Sequence, residues 1–201
     1  MELSTRFDEA LIFATRLHAH QVRKGSGIPY ISHLLAVSAI VLEYGGDEDE
    51  AIAALLHDAV EDQGGDATRQ VIYQRFGTTV VDIVNGCSDT DVTPKPPWQA
   101  RKEAYIAHLH SASPAILLVS AADKLHNARA ILHDYSAIGE TIWQYFKTGK
   151  DGTLWYYRSL LAVYKTRGLY PLLITELERT LHTLDTLITN AQTDLPKTTD
   201  K

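Results

Sequence analysis

A chain of 201 residues, 45% hydrophobic and 22% charged, is long enough to bury the core of one soluble domain, and its net charge of −6 argues against general nucleic-acid binding, which needs clustered cations. Cys87 is the single cysteine, which excludes an intramolecular disulfide framework and a thiolate zinc site. The polar start from Met1 to Asp8 does not read as a signal peptide and no apolar run approaches membrane-spanning length, so a cytoplasmic protein is expected.

Leu11, Ala14, Leu17 and His18 recur at helix spacing, and that first helix ends before Gly25, Gly27 and Pro29. A second helix is predicted from about Ser32 to Tyr44, stopping at Gly45-Gly46. Asp47 and Glu50 form a capping-box pair that starts a third, expected to run unbroken over residues 48–62. Asp66 is read as the cap of the next helix, which closes at Phe76-Gly77, with another from Thr78 to Gly86. Three prolines between Ser88 and Trp98 predict a long loop. Ser113-Pro114 is a cap followed by proline at the first helical position. Helices are then predicted at about 114–134, 138–147, 152–167 and 171–190, with residues 194–201 a frayed tail. No alternating strand pattern of useful length occurs. The expected fold is all-α, a single helical domain over residues 1–193.

The chemistry concentrates at His57-Asp58-Ala59-Val60-Glu61-Asp62. On one helix, Ile52, Leu55, Leu56, Ala59 and Val60 face one way and the His and three acids the other. A solvated polar face is the bland alternative. Asp123 weighs against it, because it ends an apolar stretch, Pro114 to Ala122, that reads as buried. A lone buried carboxylate costs several kcal/mol unless paired or metal-bound. Lys124 is expected to point about 100° away, so a divalent cation is the economical partner. Asn127, one turn on, shares the face of Asp123 and is placed to orient water or substrate. His33, just after the Pro29-Tyr30 turn, supplies a fourth ligand candidate. Two imidazoles and two carboxylates suit Mn²⁺, Fe²⁺ or Zn²⁺ better than Ca²⁺. Glu61 and Asp62 are placed to take the proton of an attacking water. His18, His20, His108, His110, His126 and His182 have no assignable partner, and His133-Asp134 is a second, decoy pair.

His33, His57-Asp58 and Asp123, in that order on helices, resemble the HD superfamily of metal-dependent phosphohydrolases. Three finer motifs, Arg23 to His33, His57 to Asp62 and Asp123 to Arg129, look like the hydrolase domain of the RelA/SpoT family, which removes the 3′-pyrophosphate of (p)ppGpp. The resemblance runs from about Phe7 to Leu169, without a synthetase domain, as in the metazoan SpoT homologues. It implies Mn²⁺ held by His33, His57, Asp58 and Asp123, with Glu61 and Asp62 handling the water. Arg23, Lys24, Ser26, Tyr30 and Asn127 would engage a nucleotide. The sequence departs from the family at Leu34, where many relatives carry proline, and over Cys87 to Trp98. Lys95, Arg101 and Lys102 flank that segment, either as pyrophosphate contacts or as surface charges, and Tyr156 and Arg158 either border the nucleotide or belong to the core. Adenine alarmones, the 2′-phosphate of NADPH, and a catalytically silent alarmone-binding module are the competing readings. Oligomerisation is left open.

Overall fold

The computed structural model describes residues 2–90 and 94–193; the expected tail, 194–201, and part of the expected proline-rich loop lie outside them. Helix α1 (Thr5–Leu17) starts where the Ser4 hydroxyl accepts from the Arg6 amide, and it buries Ala10 and Ala14. The chain then doubles back through a short antiparallel turn, in which Arg23 N donates to Ile28 O at 2.8 Å and Tyr30 N to Gln21 O at 2.9 Å. It enters α2 (Ile31–Glu43), whose mean composition is apolar enough to bury His33 beside Leu34 and Val37.

The Asp47–Glu50 capping box is present in both directions and opens α3 (Glu48–Leu56). The single helix expected over residues 48–62 is instead two, because the chain turns at His57-Asp58 before the short α4 (Ala59–Asp62). The cause is local: His57 Nδ1 donates to the Ala54 carbonyl at 2.8 Å, the acceptor that the Asp58 amide would use in a continuing helix. Asp58 then falls at φ −96°, ψ −2°, off the ideal helical values.

Helix α5 (Gly65–Cys87) follows a left-handed Gly64, so Asp66 is not its cap; it lies in the first turn and pairs with Arg69 at 2.8 Å. Gly77, at φ 89° and ψ −179°, breaks α5 where the sequence placed the boundary. A helix the pattern reading left unassigned, α6 (Trp98–Leu109), precedes α7 (Pro114–Ile138), capped by Ser113 as expected and running one turn longer. The α-helix expected at 138–147 is a 3₁₀ segment, Gly139–Tyr145, bracketed by Gly139 and Gly149 at positive φ. Helices α8 (Gly149–Arg167) and α9 (Pro171–Thr193) complete the chain.

No strand occurs among the described residues, and the fold is all-α. Helix α7 lies at its centre, packed against α2, α3, α5, α8 and α9. Its buried face is apolar except at Asp123 and at Ser120, which shares hydrogen bonds of 2.7 Å with the hydroxyls of Tyr105 and Tyr164. Close contact with α5 comes at Gly86, where a Cβ would lie 2.3 Å from Ile116 Cδ1 and 2.7 Å from Cγ1. No helix among the described residues is long and apolar enough to cross a membrane.

Candidate metal and catalytic site

Three elements converge beside α7: the first turn of α2 brings His33, the α3–α4 turn brings His57 and Asp58, and the middle of α7 brings Asp123. His33 Nε2 lies 3.2 Å from Asp123 Oδ1 and 3.7 Å from Asp58 Oδ2. His57 Nε2 lies 3.1 Å from Asp58 Oδ2 and 3.7 Å from Asp123 Oδ1. One ligand atom from each of His33, His57 and Asp58 falls within 4.8 Å of the others. Both imidazoles are buried, and their Nε2 atoms have no hydrogen-bond partner. A buried polar nitrogen left bare costs free energy; two of them aimed among two carboxylates fit a shared divalent ion.

The other ring nitrogens are committed. His57 Nδ1 donates to the Ala54 carbonyl, which leaves Nε2 as the ring nitrogen facing the carboxylates. His33 Nδ1 lies 2.8 Å from His126 Nδ1, so one must donate and the other accept. Burial, with the facing His33 and Arg23 adding to it, lowers the His126 pKa to about 4, which keeps that ring neutral and able to accept. His126, left without a partner in the sequence reading, therefore orients a ligand candidate. Its signal was present: it lies three residues, about one turn, beyond Asp123.

Burial opposes charge on every member of the cluster, and partners decide the outcome. For His33 burial prevails and lowers its pKa. For His57 the Asp58 and Asp123 carboxylates outweigh burial and raise it well above the usual value. Asp58 is held low against burial by His57, and Asp123 by Lys124 and the two imidazoles. The expectation that Lys124 points away is incorrect: its flexible stem curls back so that Nζ donates to Asp123 Oδ2. The other oxygen, Oδ1, accepts from Asn127 Nδ2 at 2.5 Å, and Asn127 Oδ1 accepts from Arg23 at 2.8 Å. Arg23 thus reaches Asp123 through one amide.

Tyr30 donates to Asp58 Oδ2 at 2.5 Å, and its ring stacks on His18 with centroids 5.5 Å apart. The flanking acids have separate partners. Glu61 Oε1 accepts from Lys95 at 2.7 Å, and partial burial raises the Glu61 pKa despite that cation. Asp62 Oδ2 accepts from Gln21 at 2.8 Å. Lys24 and Ser26 lie on the exposed turn, where the Ser26 hydroxyl accepts only a 3.5 Å contact from the Ile28 amide. The ring of Tyr145, a residue the sequence reading passed over, packs on Gly25, where a Cβ would lie 3.2 Å from Tyr145 Cδ2.

Arg101 and Lys102 both pair with Asp89, at 2.5 and 2.6 Å, and Lys102 Nζ lies 4.7 Å from the Tyr156 ring centre. Tyr156 is buried beside Trp98 and Trp155, while Arg158 bonds Asp185 on α9. His133 is exposed near the end of α7.

A family model described as the HD domain matches residues 10–153. The GTP pyrophosphokinase rsh of Brucella ovis is 37% identical over 127 residues, 62% of this chain and 16% of its own length. The bifunctional (p)ppGpp synthase/hydrolase SpoT of Escherichia coli K12 is 36% identical over 132 residues, 63% of this chain and 18% of its own. The chain thus spans under a fifth of these curated relatives. A solved metazoan orthologue of SpoT, which hydrolyses ppGpp, superimposes with a TM-score of 0.75 at 26% identity, covering 90% of this chain and 97% of that one.

Proposed function

Since the chain belongs to the HD-domain family, we propose that it is a metal-dependent hydrolase that removes the 3′-pyrophosphate of (p)ppGpp, leaving GDP or GTP. The observation that carries the reading is the pair of bare, buried Nε2 atoms of His33 and His57 set among the carboxylates of Asp58 and Asp123. These four residues would hold the ion, and a mixed nitrogen and oxygen donor set favours Mn²⁺ over Ca²⁺. When bound, such an ion supplies Lewis acidity to a phosphoryl oxygen and lowers the pKa of the attacking water.

The chain's own groups do the rest. Tyr30 and His126 hold Asp58 and His33 in place by hydrogen bonds. Lys124 occupies the outer oxygen of Asp123 and leaves the inner one facing the imidazoles. Glu61, whose raised pKa brings it nearer to neutrality, and Asp62 accept the proton of water as its oxygen joins phosphorus. The P–O bond to the ribose 3′-oxygen breaks as the water oxygen bonds, that 3′-oxygen takes up the proton the water has lost, and the former 3′-diphosphate leaves as one pyrophosphate. Arg23 can stack on a purine and Lys24 can meet a phosphate as a point charge. The link from Arg23 through Asn127 to Asp123 supports a nucleotide seated against the metal ligands.

The test is incubation with Mn²⁺ and a panel of ppGpp, its adenine analogue and NADPH, with pyrophosphate and phosphate measured separately. Pyrophosphate from ppGpp is expected. Phosphate from NADPH without pyrophosphate from either alarmone overturns the substrate, and binding of ppGpp without turnover identifies a silent binding module.

A further inference from the structure

We propose that Gln21 is a positioning residue for Asp62, and that a chain of three side chains running back to α1 exists to hold it in that role. The inference rests on the reading of Asp62 as a group that handles the attacking water.

The geometry has one self-consistent hydrogen-bond pattern. An ionised carboxylate only accepts, so the Gln21 atom 2.8 Å from Asp62 Oδ2 is the amide nitrogen. The opposite atom is then the carbonyl oxygen Oε1, which cannot donate. Two groups meet it, His18 Nδ1 at 2.6 Å and Gln63 Nε2 at 2.6 Å, and both must therefore donate. With its oxygen held by two donors, the amide cannot flip, and its N–H stays aimed at Asp62.

His18 is itself fixed. It caps the end of α1, is 2% exposed, and stacks on the Tyr30 ring. The Tyr30 hydroxyl in turn reaches Asp58. One rigid assembly thus ties Asp62, at the end of the short α4, to a ligand candidate in the preceding turn. The arrangement answers a specific weakness. Asp62 is exposed and ends a helix of four residues, so nothing in the helix itself immobilises its side chain. An exposed carboxylate free to rotate would spend most of its time out of line with the substrate. Bonding Oδ2 to Gln21 removes that freedom and leaves Oδ1 available.

The variant Gln21→Glu keeps an oxygen for His18 and Gln63 but exchanges the donor facing Asp62 for a carboxylate oxygen, which abolishes the bond and adds like-charge repulsion. Gln21→Met removes both functions at similar size and serves if the first fails to fold. Each is combined with Asp62→Asn in a double-mutant cycle, with Mn²⁺ content, thermal midpoint, kcat and KM for ppGpp measured for all proteins. Loss of a hydrogen bond to a charged group is worth on the order of tenfold to a hundredfold, and that loss is expected in kcat, with KM and metal content retained. In the Asp62→Asn background the same Gln21 change should alter kcat by less than about twofold, since coupled groups are non-additive. An equal loss in both backgrounds, or none in the first, overturns the role of Gln21 alone. Wild-type kcat in Asp62→Asn itself overturns the assignment of Asp62 and the positioning proposal with it.

Discussion

Replacing His126 by Leu removes the partner of His33 Nδ1 while keeping a side chain of similar bulk. His126 is neutral near pH 7, so the bond is one between two neutral imidazoles, with the proton on His33 Nδ1 whenever its Nε2 faces an ion. A neutral hydrogen bond contributes about 0.5–1.5 kcal/mol. At roughly 1.4 kcal/mol per decade, that is about a twofold to twelvefold change in affinity. Losing the tautomer lock adds to it, because His33 is then free to place its proton on Nε2, and outer partners of metal-bound histidines typically contribute about 10–100-fold. A loss of roughly tenfold in Mn²⁺ affinity is therefore expected, measured by competition against a chelator of known strength, with the fold checked by circular dichroism. His126→Gln, which restores a carbonyl acceptor, should recover part of it. Unchanged affinity in the Leu variant would refute the claim that His126 orients His33.

Alanine at His33, His57, Asp58 or Asp123 should strip the protein of most of its metal, and full occupancy in Asp123→Ala would sink the four-ligand assignment. Chelation should lower the thermal midpoint, since an ion at about a hundred times its Kd stabilises the native state by roughly 2.7 kcal/mol; a midpoint indifferent to chelation argues that no ion binds. Glu61→Gln and Asp62→Asn should each reduce kcat by about 10²–10⁴-fold with metal retained, and normal turnover in both would show that neither handles the water. Lys95→Ala removes the cation that holds down the pKa of Glu61, so that pKa should rise further. The base form then appears only at higher pH, and the acidic limb of kcat/KM should move upward; an unmoved limb means Glu61 does not set it.

The site was legible where function lies in residue type and spacing. His33, His57-Asp58 and Asp123 could be read as one cluster because a carboxylate that ends an apolar, buried stretch demands a partner, and the structure brings all four together. What supports the cluster was less visible. The break after Leu56 carries no glycine or proline; it arises from a side-chain bond between His57 and Ala54 that no propensity encodes. Lys124 was misplaced because a wheel projects the Cβ direction, whereas a lysine stem is long enough to return to its neighbour. Gln21 and Lys95 meet Asp62 and Glu61 across 41 and 34 residues of chain, separations at which pattern reading has no purchase.

The bare Cα of Gly86 bears on all of this from a distance. Ile116 presses into the space a side chain would fill there, and as a β-branched residue in a helix it has little freedom to swing aside. Asp123 follows seven residues later, about 10.5 Å along α7 and within about 20° of the same side. A side chain at Gly86 would have to push α5 and α7 apart, and α7 is the helix that carries Asp123 to the imidazoles. The position of a candidate ligand atom thus depends in part on a bare hydrogen on another helix. Drift at that position would register first as a misplaced carboxylate, in a protein whose every chemical group is intact.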